Sequence, residues 1–331
     1  MMRTRNGLVA LALSMMATAW TVALADTDTN PWPGPTWKVE STRGGLWNVV
    51  QECLKASSAA QSDGNASGGG NGGNGGNGGN GGNGGNGGNG GNGGSSSGGG
   101  NGGNGGNVAA KNPCTKVDAG AGYVILKDDN TKKPYEFLLL PTASVTGIED
   151  THLWVLDGPN YWQHAYDNVH YLTDLVKSLK PTQVGFAANS IYGRSQDQLH
   201  IHIACVYPQV ITVLSSHMKE LSDTRWTRLP HMLNQKYQYR ALLLDQRALP
   251  TAEPFRLLAA DVTPQSSMLW HTLFMIAVTL PNGQPGFAIL DSEADSDVRH
   301  GRGTEGSNWG SAEELLDPAC TVAQPAGAPT S

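Results

Sequence analysis

Residues 68–107 are a near-perfect Gly-Gly-Asn repeat, interrupted only by Ser95-Ser96-Ser97. Nothing in this stretch has an apolar side chain, so it has no surface to bury against the entropy lost when a chain is ordered. The absence of proline sets it apart from collagen. It reads as a disordered surface insert without a catalytic group, and a Gly-rich coil of that length would span roughly 35 Å root-mean-square. Any folded domain must come from the flanking segments. The longer of these, residues 108–320, is read as the catalytic domain, and its second half as a divergent partner of the first. Residues 26–67 form an N-terminal segment and 321–331 a C-terminal tail.

The start of the chain has the pattern of a secretory signal over residues 1–25. Arg3 and Arg5 precede an apolar run, 8–22, and Ala23-Leu24-Ala25 offers a small-residue cleavage site. The alternative is a single-pass anchor through residues 8–25, although the run does not clearly reach spanning length. Removing residues 1–25 takes away two positive charges and no negative ones, moving the formal charge from −6 to about −8. That balance argues against nucleic acid as a partner. Four cysteines, Cys53, Cys114, Cys205 and Cys320, suit an oxidising compartment and allow three connectivities of two disulfides. Cys53 and Cys114 flank the insert, and closing a loop of about 60 residues is worth roughly 4 kcal/mol in the chain-entropy view. Pairing Cys205 with Cys320 would tack the C-terminus onto the strand that Cys205 ends. With no close Cys-x-x-Cys, a redox or zinc-ribbon role is set aside.

Periodicity predicts strands at 122–128, 135–140, 183–188, 199–206, 237–244, 273–280 and 286–290. Helices are predicted at 167–179 and 209–221. Pro281-Asn282-Gly283 is a hairpin signal between the last two strands. The fold class is α+β with a mainly antiparallel sheet and packed helices, and 301–310 reads as a polar loop.

Chemistry concentrates in the run from Asn189 to Cys205. Leu199-His200-Ile201-His202-Ile203 alternates, so on a strand both imidazoles share one face and three apolar side chains share the other. The polar loop just before it holds Asn189, Gly193, Arg194 and Gln196, types suited to binding an anion. Imidazole titrates near neutrality and serves as nucleophile or proton carrier. Together these suggest phosphoryl or nucleotidyl transfer. Two other readings stand beside it: a purely structural histidine pair, and a zinc site with a third ligand from elsewhere. None of the other seven of nine histidines lies in a cluster of zinc-like spacing, so no metal and no other cofactor is expected.

The segment resembles the histidine-triad superfamily, in which alternating histidines follow an Asn…Gln loop. Over residues 52–320, insert excepted, the chain more closely resembles the CDP-diacylglycerol pyrophosphatase family of bacterial envelope enzymes. The blocks are Glu52-Cys53-Leu54, Ala121-Gly122-Tyr123-Val124-Ile125-Leu126-Lys127-Asp128, Leu139-Leu140-Pro141-Thr142, Asn189 to Cys205, Arg225-Trp226, and Ser311-Ala312-Glu313-Glu314 on to Cys320.

The resemblance implies a histidine-triad-like fold and a family often anchored in the inner membrane, whereas the cleavage site at Ala23-Leu24-Ala25 points to an exported protein, periplasmic or peripheral to that membrane, with a membrane surface as a further partner. It implies hydrolysis of CDP-diacylglycerol, or a related nucleotide pyrophosphate, to CMP and phosphatidate through a nucleotidyl-histidine. The strand departs from the pattern in having two histidines where the superfamily has three. Counting from Gln196 makes His202 the nucleophile and His200 its neighbour, and leaves Ala204 in the third place. Counting from Gln198 makes His200 the nucleophile. Loop spacing favours His202. Asn189, Gln196 and Gln198 are then expected to contact phosphate or ribose, and Arg194 to offset phosphate charge. The rivals are a zinc-dependent hydrolase and an exported, non-enzymatic binding protein on a degenerate histidine-triad fold.

Overall fold

The alternating histidine run forms a strand close to the middle of a large antiparallel sheet. The computed structural model describes residues 44–66, 112–154, 158–230, 233 and 237–323. The secretory signal expected at 1–25, the insert expected to be disordered at 68–107 and residues 324–331 of the tail lie outside the described residues. Among those described, the strands are β1 Cys114–Asp118, β2 Tyr123–Lys127, β3 Glu136–Pro141, β4 Val184–Ala188, β5 Ile201–Cys205, β6 Thr227–Arg228, β7 Arg240–Asp245, β8 His271–Thr279 and β9 Pro285–Glu293. The helices are α1 Gly45–Ala66, α2 Tyr161–Asp167, α3 His170–Leu175, α4 Pro208–His217, α5 Pro254–Asp261 and α6 Ser296–Arg299.

The strands form one sheet in the order β1-β2-β3-β5-β4-β8-β9-β7-β6, with every neighbouring pair antiparallel. Beyond the edge strand β1, the order contains the same unit twice. β2-β3-β5-β4 carries α2 and α3 between β3 and β4, and β6-β7-β9-β8 carries α5 between β7 and β8. The units meet where β4 pairs antiparallel with β8, Ala187 opposite Phe274. A twofold axis through that pair would generate this arrangement.

Alternation along β5 explains its register. Leu199, Ile201, Ile203 and Cys205 enter a core with Phe137, Leu139, Phe186 and Met275, covered by Trp162, Leu172, Phe255 and Leu258 of the helices. Burying an isoleucine side chain is worth roughly 1.5–3 kcal/mol. A slip of one residue would put both histidines into this core, so the apolar face pins the polar one. The opposite face carries two separate apolar patches. Val50 and Cys53 of α1 pack on Val124, Leu138 and Leu140. Val210 and Leu214 of α4 pack with Ala187, Ala204, Phe274 and Leu290. His202 lies between Leu138 of the first patch and Ala187 of the second. The structure joins Cys53 to Cys114, tying α1 to β1, and Cys205 to Cys320, tying the C-terminal segment to β5.

Several elements differ from the sequence prediction. Of the helix expected at 167–179 only α3, His170–Leu175, forms, and Asn168 separates it from α2. Its buried side chain donates to the His164 carbonyl at 2.7 Å and to the Tyr123 hydroxyl at 3.1 Å, competing with the backbone ladder. Helix formation starts earlier instead, where Asn160 caps α2 by accepting from Gln163 N at 3.0 Å. The strands β1 and β6 and the helices α1, α2, α5 and α6 were not anticipated. The Pro281-Asn282-Gly283 turn forms as read, and Gly283 takes the φ of +80° that a side chain would resist.

Glu253 caps α5, accepting from Arg256 N at 2.8 Å, and is 5% exposed. Burial pushes its pKa from 4.5 up to about 8, against the lowering effect of the Arg256 and Phe255 N–H groups. An acid that binds its proton more tightly when folded makes the protein lose stability as pH rises between the unfolded and folded values. Wild type should therefore weaken from about pH 4.5 to 8, and Glu253→Gln should gain on it by on the order of a few kcal/mol at about pH 9. Urea melts of both proteins across that range check this. Parallel pH profiles would contradict it.

Candidate active site

The two imidazoles form a buried pair. Their ring centroids lie 4.8 Å apart in an edge-to-face arrangement, and His200 and His202 are 8% and 4% exposed. His200 Nδ1 lies 2.7 Å from the Gln198 carbonyl oxygen. A carbonyl only accepts, so Nδ1 carries the proton and Nε2 of the neutral ring keeps its lone pair. Burial, and then the charge of His202, push the His200 pKa down to about 3. This ring stays neutral across the physiological range.

His202 has the opposite surroundings. Its Nδ1 lies 2.6 Å from Glu136 Oε1, and its Nε2 approaches Glu313 Oε2 at 3.5 Å. Burial disfavours its cation, but the Glu313 charge and the hydrogen bond to Glu136 outweigh burial and raise its pKa. Glu136 opposes Ala204 in the β3–β5 register, one diagonal step from His202 on the same face. Burial opposes the ionisation of Glu136, yet the hydrogen bond from His202 holds its pKa below the usual value. For Glu313, burial is again outweighed, by the charges of His202 and Lys133, and the pKa falls to about 2.

Lys133, in the loop between β2 and β3, bridges the two carboxylates. Its Nζ lies 3.2 Å from Glu136 Oε1 and also donates to Glu313 Oε1. Burial works against the ammonium, but both carboxylates favour it and its pKa is raised. The cluster thus sets two carboxylates against one ammonium and an imidazole whose pKa they raise. Ligand atoms of Glu136, His202 and Glu313 lie within 4.8 Å of one another, a spacing a divalent ion could use. The Lys133 ammonium already compensates both carboxylates there.

Glu313 is distant in sequence, and three features bring it to the histidines. Asp317 N donates to the Cys205 carbonyl at 2.7 Å, beside the Cys205–Cys320 disulfide. Thr272 Oγ1, fully buried, donates to the Ala188 carbonyl at 2.7 Å and accepts from Ala312 N at 2.9 Å. The loop 301–310 ends at Gly310, whose carbonyl accepts from Ser190 N at 2.8 Å. It passes so close to Gly193 that a Cβ there would meet the Gly310 oxygen at 2.5 Å, so a glycine is needed.

The residues singled out from the sequence have distinct surroundings. Asn189 belongs to the cluster: its Nδ2 donates to Glu313 Oε2 at 3.2 Å, and its Oδ1 accepts from Glu313 N at 3.2 Å. Arg194, expected to meet phosphate, is buried, with Nη1 and Nη2 on Glu149 at 2.8 and 2.5 Å and Nε on Asp197 at 3.3 Å. Gln196 Oε1 accepts from Leu46 N at the start of α1, at 3.3 Å. Gln198 Nε2 donates to the carbonyls of Pro141 and Ala143 at 3.1 and 2.9 Å. In this structure the last three brace the loop. Sequence reasoning missed Glu136 and Lys133 and gave Glu313 no role. The available signal was the charged hairpin before β3 and the Ser311-Ala312-Glu313-Glu314 block.

The sequence profile of the CDP-diacylglycerol pyrophosphatase family matches residues 105–324, about two thirds of the chain. The chain belongs to that family. Its match begins at the end of the insert and takes in every residue of the cluster just described. A Yersinia pestis protein named CDP-diacylglycerol pyrophosphatase is 35% identical over 213 residues, 63% of this chain and 76% of that protein. A Mycobacterium leprae (strain TN) protein named probable CDP-diacylglycerol pyrophosphatase is 33% identical over 213 residues, 64% of this chain and 73% of that protein. Family membership makes the chain a hydrolase.

Proposed function

We propose that this chain hydrolyses the pyrophosphate bond of CDP-diacylglycerol to CMP and phosphatidate, through a nucleotidyl-histidine, on a histidine-triad-like fold. The observation that carries the reading is the unlike surroundings of two imidazoles on one strand face. One gives its Nδ1 proton to a backbone carbonyl, which fixes its tautomer, and the other lies between two carboxylates that raise its pKa. Loop spacing assigns attack to His202. The tautomer and neutrality of the other ring favour His200 Nε2 as nucleophile, because a protonated imidazole has no lone pair to offer.

In this scheme His200 Nε2 bonds to the phosphorus next to cytidine. The bond from that phosphorus to the bridging oxygen breaks, its electron pair leaves with phosphatidate, and no metal is required. Water then adds to the same phosphorus and breaks the P–N bond, releasing CMP and a proton and restoring the neutral ring. The His202 imidazolium stabilises charge on the phosphoryl oxygens. Glu136 orients it, and Asn189 contributes an amide donor. The two disulfides suit an exported protein, periplasmic or peripheral to the inner membrane, and no helix among the described residues is long and apolar enough to cross a membrane.

Purified protein should turn over CDP-diacylglycerol in mixed micelles, releasing CMP, at a rate unchanged by a chelator. Loss of turnover with chelator and its return with zinc would instead support the zinc hydrolase. No turnover on CDP-diacylglycerol or on soluble nucleotide pyrophosphates would leave the binding-protein reading.

A further inference from the structure

The cluster holds an anion of its own in front of the histidines. The Glu313 carboxylate receives the Lys133 ammonium on Oε1 and the Asn189 amide on Oε2, and that second oxygen faces His202 Nε2 at 3.5 Å. An ammonium, an amide and a ring nitrogen facing two anionic oxygens are the kind of donor set that a phosphoryl group asks for. We propose that Glu313 occupies the diphosphate subsite of the ligand-free enzyme, and that Lys133, Asn189 and His202 bind the non-bridging oxygens of the substrate diphosphate once Glu313 gives way. The inference rests on the reading of this cluster as a nucleotide pyrophosphate site.

The two carboxylates differ in a way that makes Glu313 the one to yield. Glu136 is a residue of β3, paired on the sheet and 2% exposed at its side chain, whereas Glu313 stands on a single 3-10 turn, Ala312–Leu315, and its side chain is 26% exposed. If Glu313 swings out, Lys133 keeps its contact with Glu136 and stays in place. Lys133 has the same 26% exposure and a flexible four-carbon stem, so it can follow an incoming anion. A cation is needed here because a diphosphate brings negative charge to a cluster that already holds two carboxylates. Arg194 cannot supply it while its guanidinium is forked onto Glu149 and Asp197. The expected ligand class is a diphosphate or pyrophosphate anion, with the nucleoside and lipid contributing from outside this subsite.

Calorimetric binding of inorganic pyrophosphate to the full chain tests the proposal in Lys133→Met, Lys133→Arg, Glu313→Gln and His200→Ala, each first checked for a native thermal transition. Lys133→Met should weaken binding about tenfold or more, with Lys133→Arg in between. Glu313→Gln, which removes the competing charge, should strengthen binding about tenfold. With CDP-diacylglycerol, Lys133→Met should raise KM more than it lowers kcat. His200→Ala should still bind pyrophosphate while losing turnover. Pyrophosphate binding that is indifferent to Lys133→Met, or weaker in Glu313→Gln, would overturn the proposal even if CDP-diacylglycerol is turned over. The predicted binding pattern without turnover would uphold the anion subsite and sink the catalytic reading instead.

Discussion

Replacing His200 with alanine is expected to lower kcat by roughly four orders of magnitude and to abolish the covalent nucleotidyl-enzyme. Its Nδ1–H is committed to the Gln198 carbonyl at 2.7 Å, and its pKa lies at about 3, so Nε2 is available for attack at any ordinary pH. His202→Ala should cost less, roughly two to three orders of magnitude, because it removes a stabilising cation and leaves the nucleophile. It should still form some adduct. The decisive measurement traps the intermediate from substrate labelled in the nucleotide and maps the modified residue. Label on His202 would restore the assignment from loop spacing. No label on either ring, together with inhibition by a chelator, would favour water activated at a metal.

What the sequence made legible was local. Alternation at Leu199–Ile203 fixes which face each histidine takes, because side-chain period and burial are properties of a few neighbouring residues. The hairpin at Pro281-Asn282-Gly283 and the helix after Pro208 are legible for the same reason. The helix expected at 167–179 is shortened to 170–175, and its start is set by a contact that periodicity cannot carry, the Asn168 side chain reaching Tyr123 on β2. Arg194 shows the same limit. Its loop is polar and reads as exposed, yet the chain folds it against Glu149, forty-five residues earlier, and the residue is 3% exposed. The function of the histidine pair depends on such long-range contacts. Glu136 sits in an apolar strand and gains a role only through the β3–β5 register, and Glu313 only through the ties at Thr272 and Asp317. Two adjacent histidines look equivalent in the sequence, and these two carboxylates make them different.

That difference predicts a pH profile and a way to move it. If the His202 cation is required, kcat/KM should hold from mildly acidic to neutral pH. It should fall on the alkaline side at a pH above the ordinary histidine value of 6.5, where the raised pKa of His202 lies. On the acid side, activity should persist until His200 begins to protonate, towards pH 3. Glu136→Gln keeps an amide oxygen able to accept the Nδ1 proton, so ring orientation survives, but it removes one of the two charges that hold the cation. Glu313 still raises the His202 pKa, while burial and Lys133 lower it. The alkaline limb should therefore move to lower pH, with the loss of activity largest on the alkaline side and smallest at mildly acidic pH. Stability should follow the same sign. A histidine with a raised folded pKa lends stability that is present below the unfolded value and lost as pH rises through the folded one, so the alkaline loss of stability should be smaller in Glu136→Gln than in wild type. A loss of activity that is equal at every pH would mean that Glu136 only positions the ring. An alkaline limb that stays where it is in Glu136→Gln would mean that the His202 cation is not the group the reaction reads.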